Sequence, residues 1–395
     1  MRLTRTVLLG AIPALLTLVG CRGEPPGSPG PPATSVAASP LEVVPVRVAF
    51  LQTSGSDEAE RRAATAYQAA ALAFSNAAFA GDLPVAVELV TYDTVGDPTA
   101  ATAVAAELEA DTSVVAAIGA PGLAGQGALG DALDAAGVPW VSLSGFGSDL
   151  GERGWAGWRR LVADQAAQGM VLGDSVDELG QTDGVCAMGD GTPSSRSLLR
   201  AAVDALDAEV LLRAVVGEDQ ADVTAAARAA GASGCDAVIW AGEGSVAAAL
   251  RRQLTEEDGG GPALFGGDRT RDQTFIEAAG SAAEGTFATC PCVDLSTSAD
   301  LAAQRFIQDF QAEYGLPPGP YAVEAWDAAR LLLAAFRDGA TTRAATLAAL
   351  GSVRRCDGLG GTYRFGGGGD LLASADRVRL NEVAGGRWLE ADLPA

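Results

Sequence analysis

The residues of this chain that could do chemistry are acids, hydroxyls and arginines. The 395 residues include 50 Asp and Glu and 27 Lys and Arg, with no His, and every one of the 27 cations is Arg. Without His, neither a Ser-His-Asp nor a Cys-His arrangement can form, and the commonest zinc ligand is missing. An enzyme of this composition would depend on a carboxylate pair such as Glu243 and Asp268. Since nothing else marks that pair, we predict no catalytic residues, no metal site and no cofactor.

The charge balance narrows the choice of partner. The formal net charge is −23 at pH 7. Because phosphate groups are bound by clustered cations, we exclude nucleic acid as a partner.

The elements that must position such a site form a repeating pattern. Short apolar runs alternate with Ala-rich stretches of helical spacing, which indicates βα units and parallel sheets. One helical stripe is Tyr67, Ala71, Phe74 and Ala78. Strands are predicted at 46–51, 85–91, 114–119, 138–142, 184–188, 210–216, 236–241, 263–266 and 285–289, with later strands at 362–365 and 377–383 and helices at 301–314 and 321–336. The fold class is therefore α/β, with two doubly wound parallel-sheet lobes and a first crossing near 158–162.

Polar and glycine-rich segments follow these strands. Ligands in open α/β sheets bind beyond the carboxyl ends of the strands, where helix N-termini favour anions. Any one of these residues could simply form a turn or cap a helix, but their convergence on one edge favours a binding cleft. The candidate ligand-binding residues are Thr53, Ser54, Gly122, Leu123, Ala124, Ser144, Gly145, Phe146, Ser194, Glu243 and Asp268.

The N-terminus carries an export pattern. Arg2 and Arg5 precede an apolar run from Val7 to Val19, which is too short to span a bilayer and is typical of a signal peptide. The run ends at LVGC, which resembles a bacterial lipobox; a plain signal peptide with a stray cysteine is the alternative. We predict a signal peptide at 1–20, lipidation of Cys21 and a flexible Pro- and Gly-rich linker at 21–40. The chain would then be anchored by lipid alone to the outer face of the cell membrane, or to the periplasmic side where an outer membrane is present.

Export places the other five cysteines in a compartment where disulfides persist. Cys186 and Cys235 lie beside predicted strands of the same half and could pair. Cys356 could pair with Cys290 or Cys292, which would leave one thiol over, and Cys292 is our candidate. A zinc site at Cys290 and Cys292 is disfavoured because further ligands are missing and the spacing does not fit.

Six motifs follow one another along the chain: DPTAA at 97–101, VVAAIGAP at 114–121, AAGVPWVS at 135–142, LFGGD at 264–268, AEGTF at 283–287 and GPYA at 319–322. In this order they resemble the type I periplasmic binding proteins of the Leu/Ile/Val-binding branch. The resemblance covers 46–389. It implies a monomeric solute-binding subunit of an ABC importer, with two lobes joined by a multi-strand hinge.

The resemblance also implies how the chain divides and what the site holds. Lobe 1 would comprise 41–160 plus 287–356, and lobe 2 would comprise 161–286 plus 357–395. Asp268 matches the acid that holds a ligand ammonium, whereas Leu123 and Phe146 stand where the family has hydroxyls for the carboxylate. An aromatic residue expected near Ser194 is also missing. We therefore expect an amino-acid-like or amide ligand, and a sensing or scaffolding lipoprotein of the same fold is the alternative.

Overall fold

The computed structural model describes residues 43–391, except Ser56, Asp82, 95–97, 181–182 and 259–260. The predicted signal peptide, linker and lipidated Cys21 lie outside the described residues.

The described residues alternate strands and helices as the sequence indicates. The strands are β1 Val44–Gln52, β2 Val85–Asp93, β3 Val114–Gly119, β4 Trp140–Ser142, β5 Trp158–Arg160, β6 Gly184–Gly189, β7 Glu209–Val215, β8 Ala237–Ala241, β9 Ala263–Gly266, β10 Phe287–Cys290, β11 Arg355–Gly358, β12 Gly361–Arg364, β13 Arg379–Ala384 and β14 Arg387–Glu390. The helices are α1 Asp57–Ala80, α2 Pro98–Ala110, α3 Gln126–Ala135, α4 Gln165–Gly180, α5 Pro193–Ala205, α6 Gln220–Ser233, α7 Gly244–Asp258, α8 Gln273–Ala279, α9 Leu301–Tyr314, α10 Ala322–Arg337 and α11 Arg343–Ser352.

Two open sheets form the cores of two lobes. The first has the order β2-β1-β3-β4-β5 and is parallel throughout. The second has the order β14-β13-β10-β9-β8-β6-β7, in which β13 and β14 run antiparallel to the rest. Both put the carboxyl ends of their parallel strands at one edge, with helices on the faces. The predicted fold class of two doubly wound lobes is confirmed.

Two segments of the chain belong to a different lobe from the one predicted. Strand β10 was assigned to lobe 1, but it pairs with β9 and β13 of the second sheet. Residues 357–365, which include β12, were assigned to lobe 2, but Tyr363 and Phe365 are buried in the core that α1 and α10 form over the first sheet. The reason is that each lobe completes its apolar core with segments from beyond the next crossing, so the boundary follows burial.

The helical stripe predicted for α1 is confirmed in part, because Phe74 is buried and Tyr67 and Ala71 are half-buried. Ala78 is exposed, whereas Ala66, Ala70, Ala73 and Ala77 are buried. Alanine fills both the buried and the exposed positions of this helix, so its apolar periodicity does not fix the inward face.

Three segments cross between the lobes. The first is 161–164, directly after β5 and at the end of the predicted crossing; the second is 291–293; the third is 372–378. The first two crossings meet in a buried cluster of Val162, Cys290, Cys292 and Tyr321. This cluster is the centre of the hinge.

The disulfides agree with one predicted pair and contradict the other. Cys186 and Cys235 are bonded, with Cα atoms 5.8 Å apart, as predicted. Cys290 bonds to Cys292, so the predicted pairing of Cys356 with Cys292 or Cys290 is wrong. Cys356 is buried in the core of lobe 1, on the β11–β12 hairpin, whereas Cys290 and Cys292 lie at the second crossing.

Candidate ligand-binding cleft

The loops after β1 and β3 form the first side of the lobe 1 edge. The Thr53 hydroxyl lies 3.1 Å from that of Thr94 and accepts from the Ala124 amide at 3.2 Å. The Ser54 amide donates to Asp93. Gly122 is exposed and adopts a φ of 73°, a conformation that favours glycine. The structure therefore brings these four candidate residues into neighbouring loops.

Leu123 is a correction to the predicted site. Its side chain is fully buried in the core beside Trp140 and Trp158, because an apolar residue directly after a buried strand can fold back over the sheet. Only its carbonyl is engaged at the edge, where it accepts from the Ser144 hydroxyl at 3.4 Å.

The loop after β4 is held from several directions. The Ser144 hydroxyl is buried and accepts from the Phe146 amide at 3.4 Å. The Gly145 carbonyl accepts from the first amide of α4 at 2.9 Å, and an added Cβ at Gly145 would lie 2.8 Å from the Ala163 carbonyl oxygen. Gly145 is thus needed for the close approach of this loop to the first crossing. The Phe146 carbonyl accepts from Gln126 and Arg160.

Lobe 2 presents an ion-pair network at its facing edge. Arg269 bridges Glu243, at 2.6 Å, and Asp190, at 2.8 Å. Glu243 is therefore held in a structural ion pair. The hydroxyl of Ser194, in the first turn of α5, accepts from the side-chain amide of Gln165 at 2.5 Å.

Asp268 lies where the two lobes meet. Its carboxylate accepts from the Tyr321 hydroxyl at 2.6 Å, from Arg62 at 3.4 Å and from Gln168 at 3.2 Å. Tyr321 and Arg62 belong to lobe 1, and Gln168 belongs to lobe 2. Burial raises the pKa of Tyr321 well above its ordinary value, so its hydroxyl keeps its proton and donates.

Tyr321 reaches Asp268 from an unusual backbone conformation. It precedes α10 with a φ of 67°, in the left-handed region that bulky residues avoid. Such a conformation costs about 1–3 kcal/mol and is found mainly at functional sites. The packing of Tyr321 against Cys290 and Cys292 holds it there.

Helix α1 carries the remaining contacts across the cleft. Glu58 pairs with Arg62 one turn later and accepts from the Gly244 amide of α7 at 3.0 Å. Burial raises the pKa of Glu58 to about 7, although Arg62 acts in the opposite direction. Arg61 donates to Thr274 of α8 at 3.3 Å. The lobes therefore meet through polar side chains of the chain itself.

Sequence reasoning missed Glu58, Arg62, Gln168, Arg269 and Tyr321. Two signals were available: Glu58 and Arg62 are four residues apart in the helix that follows β1, and Tyr321 lies in the GPYA motif. Neither signal names the partner, because Asp268 is 206 residues from Arg62.

The described part of the chain contains no cluster of three or more metal-ligating side chains. None of its helices is long and apolar enough to cross a membrane. An open groove of about 640 Å³ runs between α5 and the edge strand β7 and contains none of the candidate residues.

A family model described as periplasmic binding protein matches residues 45–380. The chain belongs to the periplasmic binding protein family. A sequence search of the curated proteins finds no match to this periplasmic binding protein.

Solved structures share the fold of this periplasmic binding protein. The branched-chain amino acid transporter protein LivJ of Streptococcus pneumoniae, in complex with isoleucine, is 18% identical with a TM-score of 0.77, covering 88% of this chain and 99% of LivJ. The leucine-binding protein LivK of Thermotoga maritima is 22% identical with a TM-score of 0.74, covering 89% and 98%. A solute-binding protein of R. palustris, in complex with benzoate, is 18% identical with a TM-score of 0.75, covering 88% and 96%.

These findings confirm the type I resemblance read from the sequence. By its family the chain is a periplasmic binding protein, and the solved structures that share its fold include proteins in complex with small solutes. The carboxylates Glu243 and Asp268 are accordingly parts of a binding protein.

Proposed function

We propose that this protein captures a small amino-acid-like or amide solute between its lobes and delivers it to the permease of an ABC importer. The observation that carries the proposal is Asp268, a lobe 2 acid at the carboxyl end of β9 that is bonded to Arg62 and Tyr321 of lobe 1. A solute bound at this point touches both lobes, so its affinity is coupled to their closure. The complexes of relatives with isoleucine and with benzoate support a small organic solute.

The remaining strand-end residues belong to the same proposal. Thr53, Ser54, Ala124, Gly145 and Phe146 form the lobe 1 wall, and Ser194 and Glu243 form the lobe 2 wall. Backbone amides and the half-buried Phe146 ring would contact the polar and apolar parts of the solute.

A thermal unfolding screen tests solute capture. A solute that binds only the folded protein adds about 2.7 kcal/mol of stability at a hundredfold excess over Kd. We expect a higher unfolding midpoint with at least one member of a panel of amino acids, short amides, urea and small carboxylates. Asp268→Ala should abolish the shift, whereas Arg200→Ala, in the outer groove, should retain it. A panel that leaves every midpoint unchanged contradicts the proposed solute class.

We further propose that the protein is a lipoprotein anchored through Cys21. The lipobox-like LVGC and the Pro-rich segment after it support this anchor. We expect Cys21→Ser to abolish labelling by palmitate in expressing cells and to move the protein from the membrane fraction to the medium or periplasm. Cys292→Ser, which removes a cysteine bonded to Cys290, is the matched control and should keep the label. Labelling that survives Cys21→Ser would exclude this anchor.

A further inference from the structure

The acid that a ligand ammonium would meet is already occupied by groups of the chain. Asp268 accepts from a phenol, a guanidinium and an amide, and its side chain is 23% exposed. Arg62, only 8% exposed, lies between Asp268 and Glu58. A buried cation between two acids is held by both of them, and removing it would leave uncompensated negative charge. An incoming ammonium would have to displace Arg62.

The hydroxyls of the lobe 1 edge are also committed. Thr94 donates its proton to the Gln52 carbonyl, so Thr53 must donate its own proton to Thr94. Ser144 donates to the Leu123 carbonyl. A carboxylate is an acceptor only, and neither hydroxyl has a proton left for it. Thr53 and Ser144 are therefore not free to donate to the carboxylate of an amino acid, and Asp268 is not free to meet its ammonium.

One donor beside Asp268 lacks an acceptor among the described residues. The Nε–H of Arg62 is buried and finds no hydrogen-bond partner in that part of the chain, although the other two nitrogens bind Asp268 and Glu58. A buried donor without an acceptor costs about 1–3 kcal/mol, so an acceptor atom placed there is strongly favoured. Asp190, Glu243 and Asp268 are already anions at this junction, where they pair with Arg62 and Arg269. A neutral carbonyl oxygen satisfies the donor without adding a further anion.

We infer that Arg62 is a built-in counter-ion of Asp268, and that the solute is an uncharged carbonyl compound that bonds to Arg62 and needs no ammonium group. The solute half of this inference rests on the proposed function, whereas the Arg62–Asp268 half does not. Arg62 thereby selects against free α-amino acids within the proposed solute range. Its amide members offer a carbonyl oxygen to the donor of Arg62 and N–H groups to the carboxylates beside it.

A double-mutant cycle on the protein without added solute tests the counter-ion. Arg62→Met keeps the apolar stem and leaves Asp268 unbalanced, so Arg62→Met with Asp268→Asn should melt at least about 3 °C higher than Arg62→Met alone. Arg251→Met is the matched control. Arg251 is 7% exposed, as buried as Arg62, but it donates only to backbone carbonyls. When Arg251→Met is combined with Asp268→Asn, the changes in the unfolding midpoint should add. Additive midpoints for the Arg62 pair would overturn the inference.

Three solutes with one carbon skeleton test the selectivity: leucine, 4-methylpentanoate and 4-methylpentanamide. We expect the amide to raise the unfolding midpoint of the wild type and to bind Arg62→Met about tenfold more weakly, since a bond to a charged group is lost. Leucine should bind only after Arg62→Met exposes Asp268. Leucine binding to the wild type that Asp268→Asn abolishes would overturn the inference. If no solute binds any variant, the proposed solute class fails, and the cycle alone decides the counter-ion.

Discussion

Between pH 5 and pH 8 the free energy of unfolding should fall, and Glu324→Gln should remove a large part of that decrease. Glu324 of α10 is 1% exposed; one carboxyl oxygen accepts from the Val293 amide at 2.8 Å, and the other has no hydrogen-bond partner among the described residues. Burial raises its pKa to about 7 from an ordinary value of 4.5. The folded protein therefore holds this proton after the unfolded chain has released it. The resulting stability is complete below pH 4.5 and is lost as the pH rises through 7.

The size of the effect follows from the shift. One pKa unit corresponds to 1.36 kcal/mol, so the Glu324 carboxyl contributes about 3 kcal/mol to the pH dependence of the unfolding free energy. Urea unfolding at four pH values gives, for each variant, the slope of the unfolding free energy against pH. Glu324→Gln should flatten it, whereas Glu60→Gln, on the exposed face of α1, should follow the wild type. Parallel curves for wild type and Glu324→Gln would show that this buried acid does not govern the slope.

Loss of the Cys186–Cys235 disulfide should be the most destabilising of the proposed changes. The bond spans 49 residues, and both cysteines are buried in the lobe 2 core with Val238 and Trp240. A loop of this length restricts the unfolded chain by about 4 kcal/mol in the chain-entropy treatment. Replacing both cysteines with Ala should lower the free energy of unfolding by about 4 kcal/mol.

The second disulfide provides the matched control. Cys290 and Cys292 are two residues apart, so their bond restricts the unfolded chain by only about 1 kcal/mol. Urea unfolding of the two double-alanine variants should therefore differ by about 3 kcal/mol. Equal losses would mean that loop closure does not account for the stability that Cys186–Cys235 provides.

The sequence was sufficient to predict most of the strands that form the two lobe cores. Strand β3 at 114–119 and helix α9 at 301–314 have the predicted bounds, because uninterrupted apolar runs and clear helical stripes mark them. Strand β5 was missed because two of its three residues are Arg159 and Arg160. Both are buried, with partners as distant as Val353 and Asp370, and a local hydropathy pattern cannot reveal such compensation.

The candidate site was predictable as a set of loops but less so as a set of side chains. The rule that ligands bind beyond strand ends located Thr53, Phe146 and Asp268 correctly at the edges of the sheets. It could not separate Leu123, which turns into the core, from residues that face the cleft. Nor could it show that Arg62 neutralises Asp268, since that contact joins helix α1 to the other lobe and exists only once both lobes have folded.

The short ring closed by Cys290 and Cys292 affects how the lobes can move. Of the three crossings, only 291–293 begins inside a covalent ring, and that ring is packed against Tyr321 and Val162. Its backbone torsions cannot change much, so it acts as a fixed pivot, and the other two crossings must bend around it. Opening of the lobes is then a rotation about an axis through this pivot, with little translation. Because Tyr321 moves with lobe 1 beside that axis, the Tyr321–Asp268 contact should be among the last between the lobes to separate as the cleft opens.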